Sequence, residues 1–114
     1  MSYFNKQNKY HNKKVIADGI KFDSQKEYNR FLELNMLQKS GVISDLQRQV
    51  RFEIIPKTAT ERAAFYVADF VYVQADGKKI CEDVKSPMTK KLHDYILKRK
   101  LMKWRYPEYQ FVEF

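Results

Sequence analysis

Three charged side chains interrupt two stretches of sequence that otherwise show the alternation of β-strands. Asp69 lies within residues 65–73, Asp83 lies at the end of a second stretch, residues 79–84, and Lys85 directly follows that stretch. A carboxylate on an apolar strand face is costly unless a partner compensates its charge, and a metal ion held by two carboxylates is one such partner. The same groups suit phosphodiester hydrolysis, because two acids can hold Mg²⁺ and a lysine can stabilise charge that develops on the phosphate. The pattern therefore indicates a candidate metal and catalytic site.

The two stretches are predicted to form a β-hairpin, because residues 75–77 read Ala-Asp-Gly, a tight-turn sequence. Alternation places Asp83 and Lys85 together on one face of the second strand and Glu82 on the opposite face. It therefore favours Asp83 over Glu82 as the second acid. On the first strand, strict alternation predicts that Asp69 shares its face with Phe65, Val67, Val71 and Val73.

An acid followed two positions later by a lysine is a weak motif in a chain of which 32% of the residues are charged. A second example, Asp76 to Lys78, occurs in the same region. Context separates the two, because Asp76 falls in the predicted turn, whereas Asp83 ends a strand that pairs with the strand of Asp69. We therefore take Asp83 and Lys85 as the candidates.

The rest of the chain supplies elements that can position this site. Residues 14–22 fit two short strands around an Asp-Gly turn. Residues 24–39 fit a helix with a capping box at its start, Ser24 and Glu27, and a Ser-Gly stop after it. Glu27 lies at the edge of the apolar face of this helix, so it is either a capping residue alone or a further acid of the site.

Further elements follow the first helix. A strand is predicted at residues 47–55 after a turn at residues 42–46, and its Gln49 either faces the site or lies on the surface. A polar loop then leads to the hairpin. A second helix is predicted over residues 89–106, capped by its first residue, and the alternating residues 109–114 form a final strand.

The order of elements, helix, three strands, helix and strand, predicts an α/β protein in the broad sense, an α+β mixed sheet with helices flanking it. At 114 residues the chain is long enough for one core. Residues 14–114 are therefore expected to form a single domain, and the polar residues 1–13 a flexible N-terminal arm.

The chain carries 22 Lys and Arg against 14 Asp and Glu, a net charge of +8. Such an excess favours a polyanionic partner such as DNA, with solubility as the alternative explanation. Much of the charge lies on the second predicted helix, which presents either a DNA-contacting surface or a solvated face. The candidate DNA contacts are Lys90, Lys91, Lys98, Arg99 and Lys103, together with Gln49 on an earlier strand.

The single cysteine, Cys81, falls in a predicted strand and has no second cysteine with which to pair. A reducing, cytoplasmic setting is therefore the expectation. No stretch has the roughly 18 apolar residues of a membrane span, so no membrane partner is expected.

The order of elements, together with the segments VADF and CEDVK, resembles the PD-(D/E)XK nuclease superfamily. The segments YHNKKV, DGIKFDSQKE, YVADF and EDVK extend the likeness over nearly the whole chain to a group of small phage-encoded proteins placed in that superfamily. The resemblance implies a restriction-endonuclease-like αβββαβ core and a Mg²⁺-dependent nuclease site in which Mn²⁺ can substitute. It implies that Asp69 and Asp83 are the acids of the motif and Lys85 its lysine. Glu27 matches an acid that many members place on the first helix, and the backbone carbonyl of Val84 matches a further metal ligand.

We therefore expect a Mg²⁺-dependent DNA endonuclease. Two positions depart from the superfamily motif, Ala68 in place of proline and Asp83 in place of the commoner glutamate, and neither change removes a metal ligand. By analogy with junction resolvases of comparable size, the expected substrate is branched DNA such as a Holliday junction, in phage DNA metabolism in the cytoplasm of a bacterial host. Paired cuts across a two-fold symmetric junction favour a homodimer. The alternative is a non-catalytic DNA-binding module of the same fold, and the number of metal ions, one or two, stays open.

Overall fold

The computed structural model describes residues 14–114, so the predicted arm at residues 1–13 lies outside the described part of the chain. Its helices and strands are β1 (Val15–Ala17), β2 (Ile20–Phe22), α1 (Gln25–Lys39), β3 (Ile43–Ile55), β4 (Ala64–Gln74), β5 (Lys79–Asp83), α2 (His93–Arg105) and β6 (Tyr109–Glu113). A short 3₁₀ turn, Thr89–Lys91, precedes α2. The predicted order of helix, three strands, helix and strand is therefore present, with a small hairpin before it.

The strands from β3 onward form one sheet in the order β3-β4-β5-β6. Strands β3, β4 and β5 are antiparallel neighbours, whereas β6 runs parallel to β5. Strands β1 and β2 pair with each other in a separate two-stranded sheet. The prediction of a mixed sheet combined with two helices is confirmed.

Helix α1 begins where the sequence predicts. Ser24 is its N-cap, and Ser24 Oγ accepts a hydrogen bond from the Glu27 N–H at 3.1 Å. The Glu27 carboxylate accepts in return from the N–H of Asp23, one residue before the cap, at 3.4 Å. These contacts satisfy N–H groups at the start of the helix, where no intrahelical acceptor exists. They also fix Glu27, which is only 3% exposed, in the first turn of α1.

Two clusters of buried side chains hold the helices to the sheet. The cluster beneath α1 contains Leu34, Ile43, Phe70, Tyr72, Ile80 and Val84. The cluster beneath α2 contains Phe52, Ile54, Tyr66, Ala68, Val71, Cys81, Tyr95 and Met102. Ile80 and Cys81 are successive residues of β5 and belong to different clusters, so the two helices pack on opposite faces of the sheet. Within the described residues, neither helix is long and apolar enough to cross a membrane.

The alternation of β4 changes at Asp69. Tyr66 and Ala68 pack toward α2, whereas Phe70 and Tyr72 pack toward α1. The even-numbered residues of β4 therefore face α2 before Asp69 and α1 after it. The prediction that Asp69 shares one face with its four odd-numbered neighbours was wrong, because strict alternation holds only for an uninterrupted strand.

The neighbouring strand β3 has a matching irregularity. Arg48 pairs with Phe70 and Val50 pairs with Ala68. Gln49 therefore lies opposite Asp69. Its φ of +52° is in the left-handed region, which residues other than glycine rarely adopt. Arg48 lies over the Phe22 ring beside α1, whereas Val50 packs toward α2. Strand β3 therefore switches faces at the same level as β4.

Two predicted boundaries were wrong. Strand β3 begins at Ile43, earlier than predicted, because its first residues pair with β4 through an irregular register at Asp45, whose φ is +55°. Helix α2 begins at His93 rather than at Thr89, and its N-cap, Leu92, makes no side-chain capping hydrogen bond. Thr89 instead begins the 3₁₀ turn.

Candidate functional site

Two clefts lie on either side of Lys85. The cleft toward α1, of about 180 Å³, is lined in part by Glu27, Asp69, Val84 and Lys85. The cleft toward α2, of about 260 Å³, is lined by Asp83 and Lys85 together with residues of α2. The structure therefore brings together the four charged residues that the sequence singled out, from α1, from β4 and from the end of β5.

Asp69 is held by the backbone of the partner strand. Its Oδ2 accepts a hydrogen bond from the Val84 N–H at 2.9 Å and lies 3.6 Å from Lys85 Nζ. Its Oδ1 accepts from Gln49 Nε2 at 3.2 Å. An ionised carboxylate has about four acceptor positions, so these contacts leave capacity for a further ligand. Asp69 is thus oriented and still able to bind.

Asp83 is fully buried and only partly satisfied. Its Oδ1 accepts a hydrogen bond from the Asp69 N–H at 3.2 Å and lies 3.9 Å from Lys85 Nζ. Its Oδ2 has no hydrogen-bond partner among the described residues. Burial raises the pKa of Asp83 to about 6, while Lys85 and the Asp69 N–H lower it and Glu113 raises it further. An unpartnered buried oxygen is costly, and a cation beside it would remove that cost.

Lys85 lies two residues after the end of β5 and is anchored through its backbone. Its N–H donates to the Phe114 carbonyl at 3.3 Å, and the Phe114 N–H donates to the Asp83 carbonyl at 2.7 Å. Lys26 Nζ donates to the Lys85 carbonyl at 3.3 Å. The Lys85 side chain is 23% exposed, so a cation fixed beside two acids still faces the clefts. Such a group can contact an anionic ligand.

Glu27 lines the same cleft as Asp69. Its Oε2 accepts from Gln49 Nε2 at 3.2 Å and from Arg48 Nη2 at 3.4 Å. Burial raises the pKa of Glu27, the charges of Asp69 and Asp23 raise it further, and the Asp23 N–H and Arg48 lower it. Glu27 is therefore a capping residue that also stands near a second carboxylate, and its role as a metal ligand stays a prediction.

The neighbouring acid, Glu82, points to the α1 face. Its carboxylate accepts from Arg30 Nε at 2.7 Å, from Arg30 Nη2 at 2.9 Å and from the Tyr72 hydroxyl at 2.7 Å. Both oxygens are therefore occupied, and Glu82 joins α1 to the sheet. Sequence analysis missed Arg30 because it is 52 residues from Glu82. The available signal was a basic residue three positions after Glu27, on the same side of α1.

The predicted DNA contacts of the second helix differ in their surroundings. Lys98 is exposed and lines the cleft toward α2, and Lys103 is also exposed. Arg99 lies 3.5 Å from Glu113 of β6, so part of its charge is already paired. Gln49, the predicted contact on β3, donates its amide into the site. The remaining two residues, in the 3₁₀ turn, are Lys90 and Lys91.

The site fits a Mg²⁺ ion although it is not a closed cage. Among residues 14–114, no three His, Cys, Asp or Glu side chains are grouped so that they could hold a metal ion by themselves. Mg²⁺ does not require such a group, because it keeps several waters and is commonly bound by one or two carboxylates. Asp69 and Asp83 are two such carboxylates, and Asp83 Oδ2 is an unmet acceptor. The Val84 carbonyl, between Asp83 and Lys85 in the chain, is a further oxygen donor of the kind that a hard cation prefers.

Comparison with known proteins places the chain in a family. A comparison with curated proteins found no match. Residues 7–113, nearly the whole chain, match the model of the family described as "Protein of unknown function (DUF1064)". The protein therefore belongs to the DUF1064 family.

Proposed function

We propose that this protein is a metal-dependent endonuclease that hydrolyses phosphodiester bonds in DNA, with Mg²⁺ as its cofactor and Mn²⁺ able to replace it. The observation that carries the proposal is the meeting of Asp69, Asp83 and Lys85, with Lys85 Nζ 3.6 and 3.9 Å from the two carboxylates. A structural ion pair needs only one acid for the lysine, and here the second acid, Asp83, has an oxygen, Oδ2, to which no residue of the described part of the chain donates. Incompletely compensated charge beside a cleft is typical of a functional site.

Each residue has a distinct role in the proposed reaction. Asp69 and Asp83 would hold the ion, with the Val84 carbonyl and Glu27 as further candidate ligands. When bound, Mg²⁺ would supply positive charge to the phosphoryl oxygen and favour deprotonation of the attacking water. Lys85 would donate to the phosphate oxygens, where negative charge increases as water adds to phosphorus and one P–O bond breaks.

The basic surface beside the cleft supports DNA as the substrate. Lys98 lines the cleft that Asp83 and Lys85 share, and the chain has a net charge of +8. Lysines next to the cleft would contact phosphates that flank the scissile bond, and such contacts release counterions from DNA. Binding is therefore expected to weaken as salt increases.

We extend the proposal to branched DNA, cut by a homodimer in the cytoplasm of a phage-infected bacterium. A two-fold symmetric junction requires two incisions, and the described residues of each chain contain one candidate site. Two aromatic side chains of β6 pack within the subunit: the ring centroids of Tyr109 and Phe52 are 5.2 Å apart, and those of Phe111 and Tyr66 are 6.0 Å apart.

A cleavage assay tests the proposal. The purified protein is incubated with linear duplex, single-stranded, flap and four-way-junction DNA in Mg²⁺, Mn²⁺ or EDTA. We expect cleavage with either metal, none in EDTA, and faster cutting of the junction than of the duplex. Equal rates of cutting of duplex and junction would support nuclease activity but contradict a preference for branched DNA. Salt-dependent binding without cleavage in either metal would favour the non-catalytic DNA-binding module.

Light scattering tests the homodimer. Measurements at micromolar protein, with and without junction DNA, give the stoichiometry of the active species. Two chains per junction are expected. A protein that stays monomeric under both conditions and still makes paired cuts would rule out the dimer.

A further inference from the structure

Gln49 contacts two acids that come from different elements of the fold. Its Nε2 lies 3.2 Å from Glu27 Oε2 on α1 and 3.2 Å from Asp69 Oδ1 on β4. Ionised carboxylates only accept hydrogen bonds, so the amide nitrogen rather than the amide oxygen must face them. We propose that Gln49 is a positioning residue that holds these two carboxylates side by side for the metal ion. This inference rests on the proposed function and deepens it.

The backbone of β3 is bent at Gln49. Its φ of +52° costs free energy for a residue with a side chain, and such conformations persist where the surroundings impose them, often at functional sites. Arg48 and Val50 face opposite sides of the sheet although they are two residues apart. Gln49 is therefore the point at which β3 switches faces, and Asp69 lies opposite it at the matching switch of β4. The two irregularities place an amide donor next to a candidate metal ligand.

A purely structural role does not account for the position of the amide. Gln49 is exposed, so burial does not force its side chain to find partners. Asp69 already accepts from the Val84 N–H, and Glu27 already accepts from the Asp23 N–H. What the amide adds is a donor between two like charges, which repel each other when no cation is present. Hydrogen bonds to ligating carboxylates also orient them and raise metal affinity.

The first test measures Mn²⁺ affinity without DNA, by isothermal titration calorimetry. Gln49→Met keeps the side-chain length but has no donor, and Gln49→Gly removes the side chain while tolerating the positive φ. Both are expected to weaken Mn²⁺ binding about tenfold or more. Gln47→Met, at an exposed position of the same strand, is the matched control and should bind like the wild type. Glycine adopts a positive φ without strain, so Gln49→Gly should have a melting temperature in EDTA no lower than that of Gln49→Met. A loss of Mn²⁺ affinity in Gln49→Gly would then not be explained by a loss of stability.

The second test observes the bridge in the metal-free protein. In ¹⁵N-labelled protein in EDTA, the side-chain amide NMR signals of Gln49 are expected to shift in Glu27→Gln and in Asp69→Asn, while those of Gln47 do not. Signals of Gln49 that stay in place in both variants would overturn the bridge. Wild-type Mn²⁺ affinity in Gln49→Gly would overturn the positioning role and leave the nuclease standing. A wild-type protein that binds no Mn²⁺ would overturn the metal function, and with it any role of Gln49 in metal binding.

Discussion

Glu82 and Asp83 are neighbours in the chain and both are fully buried, yet their surroundings differ. Glu82 accepts two hydrogen bonds from Arg30 and one from Tyr72. Asp83 accepts one from a backbone N–H, lies 3.9 Å from Lys85 and keeps one oxygen without a described partner. The pKa values follow this difference. The hydrogen bond to Glu82 raises the pKa of Arg30, whereas burial raises the pKa of Asp83 itself to about 6.

The comparison separates a carboxylate that stabilises the fold from one that is available to bind. A buried charge with good geometry and several donors is compensated by the protein itself. A buried charge that is only partly compensated retains an unfavourable contribution that a cation can remove. We therefore expect substitutions at Glu82 to destabilise the fold, and substitutions at Asp83 to remove the chemistry without destabilising the fold.

The largest effect is expected for cleavage by Asp83→Asn. The asparagine side chain lacks the negative charge that would hold the metal ion. The rate of cleavage in Mg²⁺ should therefore fall by a factor on the order of 10³ or more, while DNA binding is retained. Asp69→Asn should behave in the same way. Asp76→Asn is the matched control, because within residues 14–114 the Asp76 side chain accepts only from the Lys78 N–H of the hairpin turn. Near wild-type cleavage by Asp83→Asn would reject the site.

For Glu82→Gln we expect the opposite pattern. The substitution leaves the Arg30 guanidinium without its carboxylate, which should lower the free energy of unfolding by roughly 3–5 kcal/mol. Glu33→Gln is the control, because Glu33 contacts the same arginine at 3.4 Å from a side chain that is 57% exposed, and its loss should cost less than about 1 kcal/mol. Chemical denaturation in EDTA measures both. Equal effects of the two variants would show that Glu82 does not have the structural role we assign to it.

Lys85→Met tests the group that lies between the two site acids. We expect the cleavage rate to fall by roughly 10²–10³ because the charge that develops on the phosphate loses a donor. Mn²⁺ affinity should not weaken, since the carboxylates remain and a competing cation is gone. Lys78→Met, the lysine of the second acid-x-lysine triplet, should leave the rate unchanged. An unchanged rate in Lys85→Met would make this lysine a bystander.

The raised pKa of Asp83 predicts a pH dependence of stability in EDTA. Its pKa rises from 3.8 to about 6 on folding, so between these values the folded protein binds more protons than the unfolded chain. The contribution of Asp83 to stability therefore falls as pH rises through this window, and the cost is complete above about pH 6. Asp83→Asn cannot ionise, so its stability relative to the wild type should increase by about 2–3 kcal/mol between pH 4 and pH 7. Denaturation curves of both proteins across this range would reveal a constant difference if Asp83 were not the group responsible.

The smallest effect is expected on the basic surface of α2. Replacing both Lys98 and Lys103 with alanine should weaken binding to all DNA shapes and reduce the salt slope by at most about two, one for each phosphate contact. Arg99→Ala should change the salt slope less than replacement of one of these lysines does, because Arg99 is partly paired with Glu113. Fluorescence anisotropy at several salt concentrations measures the slopes. A slope that does not move in the double variant would mean that these lysines face bulk solvent.

Much of this fold follows from local sequence. Ser24 and Glu27 mark the start of α1 because a helix start needs acceptors for its free N–H groups, and that need is met within four residues. The hairpin follows from two alternating runs around a turn. The prediction that Glu82 and Asp83 point to opposite faces agrees with the contact of Glu82 with Arg30 of α1, because β5 is short and regular enough for alternation to hold.

Tertiary structure decided what local pattern cannot express. The switch of faces at Asp69 and Gln49 depends on two strands bending together, whereas a periodicity argument assumes a straight strand. The sequence shows that two acids stand side by side at the end of the hairpin, but their burial and its cost depend on the surrounding fold and on the donors that it supplies. For Glu82 the donors include a side chain 52 residues away on α1, and for Asp83 no side chain of the described fold donates to its second oxygen.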